Sequence, residues 1–256
     1  MNAQTMRNAA YEPEYLKQRE YLESLLFQEK NLEDETDNIV SPEIFVHIKS
    51  YSAQREEIFY SGAEYFIKIN GKEVYTAKCV NDDCAFFKLI KHRNGNYYLI
   101  FRKDLYGYSL LEIETLKTFD YYPACSLGFI TDENFFEETF IWTDVIYNSS
   151  NNLMAVYGCI WACPFELALV DFSDPFRSAE NQFFIYSKKN TGDIKNYTWQ
   201  KNTLVVNSIH RKWIKGRKPK KGQAYDGFYI EENSIKTKKT HRFSEALCRK
   251  WLSDHQ

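Results

Sequence analysis

The sequence predicts a mainly β fold of repeated antiparallel β-meanders, arranged as a propeller-like array or a sandwich, with one helix at each end. Aromatic residues are frequent (19 Tyr, 19 Phe and 5 Trp, against 10 Gly and 6 Pro), and aromatic rings favour pleated strands. Short aromatic or β-branched runs alternate with turn clusters from Ile44 to about Thr237. Residues 86–116 and 141–172 also share one layout of strands and breaks. Together these features predict a repetitive β domain.

The first segment, residues 1–40, is predicted to be a tail followed by an amphipathic helix. The helix runs from Tyr11 to about Glu35, with Pro13 in its first turn, where proline is tolerated. Its apolar stripe has the spacing of one helical face and includes Leu22, Leu25 and Leu26. We expect this stripe to pack on the body of the protein, and a partner-binding helix is the alternative.

The second segment, residues 41–240, is predicted to be the β-repeat domain. Asn70-Gly71 lies between two strand-like runs, and this dipeptide favours the tight turn of a β-hairpin. The two repeat units align without a gap when Tyr97 is matched to Leu153. Weaker units are expected at about 44–80 and 183–235. Such spacing is typical of propeller blades or stacked meanders.

One part of this domain resembles known sequences. The residues that carry the likeness are Trp142-Thr-Asp, the run from Leu153 to Glu166, and Asp171-Phe-Ser-Asp-Pro. They look like segments of uncharacterised bacterial proteins with propeller-like β-repeats. The resemblance covers about a third of the chain and implies a fold, but it supplies no functional residue.

The last segment, residues 241–256, is predicted to be a short helix that docks on the sheets. Its apolar residues Phe243, Leu247 and Trp251 recur at intervals of four. Such spacing places the three side chains on one helical face.

Composition restricts the environment that we expect for the protein. The start of the chain has no apolar signal-peptide region, and the six cysteines are expected to be reduced apolar fillers. The apolar run from Leu153 to Val170 contains Pro164 and Glu166, which argue against a membrane span. We therefore expect a cytoplasmic protein without membrane contact. The histidine and cysteine spacings predict no metal site, and no motif indicates a cofactor.

The first functional hypothesis is a non-catalytic intracellular module that binds a macromolecule, most simply a protein, through strand-connecting loops. The loops after Arg102 and Gly158 occupy equivalent positions in the two repeat units, so we expect them to share one rim. The candidate contact residues in these loops are Asp104, Tyr106, Trp161 and Glu166.

The second hypothesis is nucleic-acid binding by a basic segment. Residues 201–256 contain 14 Lys and Arg against 5 Asp and Glu, a net charge of +9, whereas residues 1–200 carry −11. Cations bind phosphates, and an interleaved Trp can stack on a base. Residues 236–242 add four further cations. The candidate residues are Arg211, Lys212, Trp213, Lys215, Arg217, Lys218, Lys220 and Lys221.

The third hypothesis is a hydrolase with an acidic cleft, since paired carboxylates can cleave glycosidic bonds. Carboxylates cluster at Asp132-Glu133, Glu137-Glu138, Asp144, Asp171 and Asp174. No nucleophile-elbow, phosphate-loop or zinc-protease motif accompanies them. Acidic turns between strands are the simpler interpretation.

Overall fold

A computed structural model describes residues 7–82, 85–127, 138–160, 163–177, 182–185, 192–216 and 233–254. This part of the chain forms four antiparallel sheets and two α-helices. In each sheet, strands that are neighbours in sequence are also neighbours in space. The prediction of a mainly β fold made of meanders, with one helix near each end, is confirmed.

The strands are numbered in chain order. Sheet 1 contains β1 (Leu32–Ile39), β2 (Ile44–Arg55), β3 (Ile58–Ile69) and β4 (Lys72–Val80). Sheet 2 contains β5 (Phe87–Lys91), β6 (Tyr97–Phe101), β7 (Tyr108–Glu112) and β8 (Thr118–Tyr121). Sheet 3 contains β9 (Phe140–Asn148), β10 (Leu153–Ile160), β11 (Glu166–Asp171) and β12 (Gln182–Phe184). Sheet 4 contains β13 (Asp193–Gln200), β14 (Thr203–Trp213) and β15 (Ser234–Ser244).

The four sheets stack in sequence order, because alternate side chains of the inner sheets face opposite neighbours. In β6, Leu99 and Phe101 belong to the core shared with sheet 1, whereas Tyr98 and Ile100 belong to the core shared with sheet 3. Sheet 2 is therefore buried on both faces. Continuous apolar runs are typical of strands in that position.

The same alternation explains the apolar run in sheet 3. Met154 and Val156 of β10 pack toward sheet 2, whereas Leu153 and Ala155 pack toward sheet 4. The described parts of the run from Leu153 to Val170 thus include β10 and most of β11, which have apolar side chains on both faces. None of the described helices is long and apolar enough to cross a membrane.

The N-terminal helix α1 spans Pro13–Leu26 and buries Tyr15, Leu22 and Leu26. The prediction that it continues to about Glu35 is wrong, because Leu32–Ile39 forms β1. Cross-strand contacts between side chains help to hold this acidic segment on sheet 1. Glu35 lies 3.1 Å from Lys49, and Asp37 lies 2.9 Å from His47, both on β2. The sheet thus extends across the boundary that was predicted at residue 40.

The C-terminal helix α2 spans Glu245–Ser253, and the Ser244 side chain caps it by accepting a hydrogen bond from the Leu247 amide. Phe243 and Trp251 lie in the core between sheets 3 and 4, and their ring centroids are 5.3 Å apart. The predicted docking of this helix is confirmed, but the prediction that Phe243 lies on the helix is wrong, because residues up to Ser244 belong to β15.

The predicted turns and repeat alignment also match the structure. Asn70 and Gly71 both have positive φ, at 50° and 77°, between β3 and β4. Tyr97 and Leu153, the residues matched between the repeat units, begin β6 and β10. Chain segments with equivalent layouts therefore form equivalent central strands of sheets 2 and 3.

Candidate functional site

The loop between β6 and β7 contains Asp104, one of the predicted contact residues, but its side chain is only 2% exposed. Its carboxylate accepts hydrogen bonds from the Tyr15 hydroxyl at 2.9 Å and from the Asn81 amide at 3.2 Å. Burial raises the pKa of this carboxyl, and the nearby Arg19 guanidinium opposes that shift. Asp104 therefore attaches α1 to sheets 1 and 2 and presents no carboxylate to a partner.

The other predicted rim residues have different surroundings. Tyr106 is buried, and its pKa is raised to about 12, first by burial and then by Glu138, Asp104 and Cys159. Gly107, which follows Tyr106, forms a parallel backbone bridge with Ile141 of β9, so this loop lies against sheet 3. Glu166 is half-buried opposite Gly158, and burial raises its pKa. Trp161 lies outside the described residues. A partner contact at this rim stays a prediction.

A buried ion pair lies near the same loop, and sequence reasoning missed it. The Arg102 guanidinium is 2.8 Å from the Asp82 carboxylate, and both side chains are almost fully buried. Arg19 of α1 donates hydrogen bonds to the Lys103 carbonyl at 2.9 Å and to the Lys78 carbonyl at 2.5 Å. The partners are far apart in sequence, so no local pattern reveals them. Together they fix α1 against the first two sheets.

The basic segment begins within a strand. Arg211, Lys212 and Trp213 are the last three residues of β14, and Lys215 follows in a turn. The three cations are exposed, and Trp213 is half-buried. The other predicted cations (Arg217, Lys218, Lys220 and Lys221) lie outside the described residues. The residues Arg211–Trp213 are held in the sheet, because they pair with β15.

Strand β15 places further cations beside this segment. Lys236 is opposite Arg211, Lys238 is opposite Ile209, and Arg242 is opposite Val205. Directly opposed residues share a face of the sheet. We use the name "basic surface" for the six exposed cations of β14 and β15, which are Arg211, Lys212, Lys236, Lys238, Lys239 and Arg242. Neither strand contains an Asp or Glu.

Most of the basic surface lies on the outer face of sheet 4. Leu204 and Val206 point to the core shared with sheet 3, so the alternate residues point away from it. Arg211, Lys236, Lys238, Arg242 and Trp213 lie on this outward face by register. Lys212 and Lys239 lie on the inward face but beyond the covered part, where both are exposed.

Polar side chains form hydrogen bonds between the strands on the outer face. The Asn207 amide donates to the Asn196 side-chain oxygen, and the Thr240 hydroxyl donates to the Asn207 oxygen, both at 2.6 Å. Arg242 donates to Gln200 at 3.0 Å. Asp193 is the nearest described carboxylate to Arg211, at 3.5 Å. The cations thus lie on a hydrogen-bonded three-strand platform.

A histidine pair lies on the inward face of the same strands. The Nε2 atoms of His210 and His241 are 3.4 Å apart, and the Ser208 hydroxyl is 3.1 Å from His210 Nε2. The pKa of His241 is lowered by burial, and His210 and Lys239 lower it further. These surroundings therefore favour the uncharged form of His241. No group of three or more potential metal ligands occurs within the described ranges.

The described carboxylates of the hydrolase hypothesis have structural partners. Asp144 lies 2.9 Å from the Lys88 ammonium and accepts a hydrogen bond from the Tyr197 hydroxyl at 2.7 Å. Asp171 and Asp174 accept hydrogen bonds from backbone amides two residues further along the chain. Glu138 is half-buried next to Tyr106. Asp132, Glu133 and Glu137 lie outside the described residues.

Comparison with known proteins does not identify a family for this chain. No family model matches the chain, and no solved structure matches it. The chain is 36% identical over 61 residues to the uncharacterized protein R762 of Acanthamoeba polyphaga mimivirus. That alignment covers 22% of this chain and 24% of the viral protein. The comparisons show neither the expected bacterial group nor a repeat family.

Proposed function

We propose that this chain is a non-catalytic binding protein whose last sheet binds single-stranded nucleic acid through the basic surface. The observation that carries the proposal is the clustering of six exposed cations on two paired strands that contain no carboxylate. Phosphate neutralisation by Lys and Arg supplies most of the affinity of non-specific nucleic-acid binding.

The geometry of the surface suits an extended polyanion. Residues two apart on a strand lie about 6.6 Å apart on the same face, so Lys236 and Lys238 form a regular row with Arg211 beside it. Trp213 lies on the same face. Any of the bases can stack on an aromatic ring, because every base has a π-face. A row of cations that ends at an aromatic ring favours a single strand with exposed bases.

Long-range charge favours the same surface. The first 200 residues have a net charge of −11, and the last 56 have +9. An anionic ligand is therefore repelled by most of the chain and attracted to the C-terminal part. Within the described ranges, Lys212, Lys238 and Lys239 make no ion pair, so their ammonium groups are available to phosphates.

The stacking order explains why the last sheet is available. We infer that the four meanders are blades of an open propeller-like array, since each neighbouring pair shares one hydrophobic core. Sheet 4 contacts sheet 3 and α2 with one face, which leaves the cationic face outward. The loop residues Asp104 and Tyr106 are excluded from this proposal because both are buried.

The proposal is tested by fluorescence anisotropy with a labelled single-stranded oligonucleotide. The variant K212A/K238A/K239A/R242A should bind at least about tenfold more weakly than the wild type, because four phosphate contacts are lost. The control K17A/K72A removes two exposed lysines on α1 and sheet 1 and should bind like the wild type. Equal affinity of all three proteins would refute the proposal, as would an equal loss in the control.

A second variant tests the role of the aromatic ring. Trp213→Ala should weaken binding to the single strand, whereas Trp213→Phe should retain most of the affinity because a ring is still present. Binding to duplex DNA should change little, since paired bases cannot stack on the ring. Equal losses on both nucleic acids would show that Trp213 acts only in folding.

A further inference from the structure

The two terminal sheets end in exposed edge strands of opposite charge. Strand β1 contains Glu33, Asp34, Glu35 and Asp37 and no Lys or Arg. Strand β15 contains Lys236, Lys238, Lys239 and Arg242 and no Asp or Glu. Among the described strands, β1 pairs only with β2 and β15 pairs only with β14. Within the described residues, each strand therefore has one edge without a partner strand, at which backbone N–H and C=O groups can pair with another chain.

The charges on the two strands have matching spacing. Counted from Asp37 toward the N-terminus, the next carboxylates of β1 follow after two residues (Glu35) and then after one (Asp34). Counted from Lys236 toward the C-terminus, the next lysines of β15 follow at the same intervals, at Lys238 and Lys239. Strands in an antiparallel pair run in opposite directions, so a single register places each carboxylate opposite a lysine. Opposite charges in such positions stabilise a strand pair.

We propose that copies of this chain associate head to tail, with β1 of one copy pairing antiparallel with β15 of the next. The partner is a second copy because sheets 2 and 3 lie between the two strands within one chain. Stacked sheets are about 10 Å apart, so the terminal sheets of one stack are about 30 Å apart, too far for strand pairing.

The same charges exclude symmetric association. Pairing β1 with β1 places carboxylates opposite carboxylates, and pairing β15 with β15 places lysines opposite lysines, which is unfavourable. Charged edge strands ordinarily prevent aggregation. Here the two edges differ in sign. Repulsion therefore prevents β1–β1 and β15–β15 pairing, whereas β1–β15 pairing is permitted. A contact between two different surfaces forms either a ring or an open chain of subunits.

The existing ion pairs of β1 are compatible with this arrangement. Glu35 contacts Lys49 at 3.1 Å and His47 at 3.2 Å on β2, and a lysine of the neighbouring copy would approach from the open side. The carboxylate would then lie between two cations. Asp34 has no ion pair with a described residue, so its charge is available to Lys239 of the second copy.

The first test is the molar mass of the nuclease-treated wild type by analytical ultracentrifugation. At about 10 mM ionic strength the Debye length is about 30 Å, and the mass should rise with concentration to at least twice the chain mass of 30.4 kDa. At about 1 M salt the Debye length is about 3 Å, and the mass should return toward that of the monomer. A monomer at low salt and high protein concentration would refute the proposal without any variant.

The second test exchanges charges between the edges. D34K/E35K reverses two charges of the acidic edge, and K238E/K239D reverses the two lysines that would lie opposite them. Each variant alone places like charges opposite each other at two of the three matched positions and should be monomeric at low salt. An equal mixture should associate again, because both complementary contacts are restored. The control K17E/K72D changes the net charge as much as K238E/K239D and should associate like the wild type.

Two outcomes would overturn the proposal. One is self-association of either single variant to the same extent as the wild type, and the other is failure of the mixture to regain mass when circular dichroism shows that both variants are folded. These experiments use protein free of nucleic acid, so their outcome is independent of the nucleic-acid proposal. D34K/E35K also leaves the basic surface intact, which separates the two proposals within one protein.

Discussion

The inner and terminal sheets of this stack differ in what their outer faces contact. Sheets 2 and 3 are covered on both sides, and the residues of the central strands β6, β7 and β10 are mostly buried. Among the described residues, sheets 1 and 4 each share a single hydrophobic cluster with another sheet. The edge strands β1 and β15 are largely exposed and strongly charged. We therefore expect stability to depend mainly on the inner sheets, and the proposed binding to depend on the terminal ones.

The largest predicted effect on the free energy of unfolding comes from a substitution in the core between the inner sheets. Trp142 is fully buried and stacks on Tyr108, with ring centroids 4.3 Å apart. Trp142→Ala should lower the free energy of unfolding by about 3–5 kcal/mol because it leaves a large cavity. Urea denaturation measures this change. Trp142→Phe keeps an aromatic ring and should cost clearly less; equal losses would show that the cavity is not the cause.

An intermediate effect concerns the network that attaches α1. Asp104→Asn removes one acceptor of the buried cluster and should cost about 1–3 kcal/mol. The measurement is denaturation at several pH values. Burial raises the pKa of Asp104 in the folded state, so the folded protein binds its proton more tightly than the unfolded chain does. Wild-type stability should therefore fall as pH rises from about 4, the ordinary Asp value, through the raised pKa.

The variant lacks this titration, so the difference between wild type and Asp104→Asn should shrink over the same pH range. A difference that is constant with pH would contradict the raised pKa. Glu112 titrates with the opposite sign, because its pKa is lowered, chiefly by a hydrogen bond from Thr115. Its contribution is lost as pH falls through its lowered pKa and is present in both proteins, so it cancels in the difference.

The smallest predicted effect on stability belongs to the basic surface. Lys238→Ala and Lys239→Ala should each change the free energy of unfolding by less than about 0.5 kcal/mol, because both side chains are exposed. Thermal denaturation of the two variants checks this. A loss comparable to that of Asp104→Asn would mean that these lysines support the sheet, which would remove the separation between stability and binding.

Local patterns predicted the turns and the inner strands. Asn70-Gly71 forms the expected hairpin because few other residues tolerate positive φ at both positions. Tyr97 and Leu153 begin equivalent strands, as the repeat indicated. The acidic segment Leu32–Ile39 was missed because its strand structure depends on pairing with β2, in which Lys49 and His47 face its carboxylates. Such pairing overrides a poor intrinsic β propensity.

The candidate site was only partly predictable for a similar reason. Counting charges along the sequence identified Arg211, Lys212 and the cations of β15, because these cations are clustered in two short segments. The register that brings Lys236 opposite Arg211 depends on a long-range strand pairing. The burial of Asp104 depends on Tyr15, which lies 89 residues earlier. Sequence position alone therefore suggested an exposed loop where the fold contains a buried polar network.

The central claim, that the last sheet binds nucleic acid through its cations, is tested most directly by the salt dependence of binding. The logarithm of affinity for a single-stranded oligonucleotide should fall linearly with the logarithm of salt concentration, with a slope of about 0.7 for each phosphate neutralised. The variant K212A/K238A/K239A/R242A should have a slope smaller by about 3. Wild-type and variant slopes that coincide would contradict the claim, because the basic surface would then contribute no phosphate contacts.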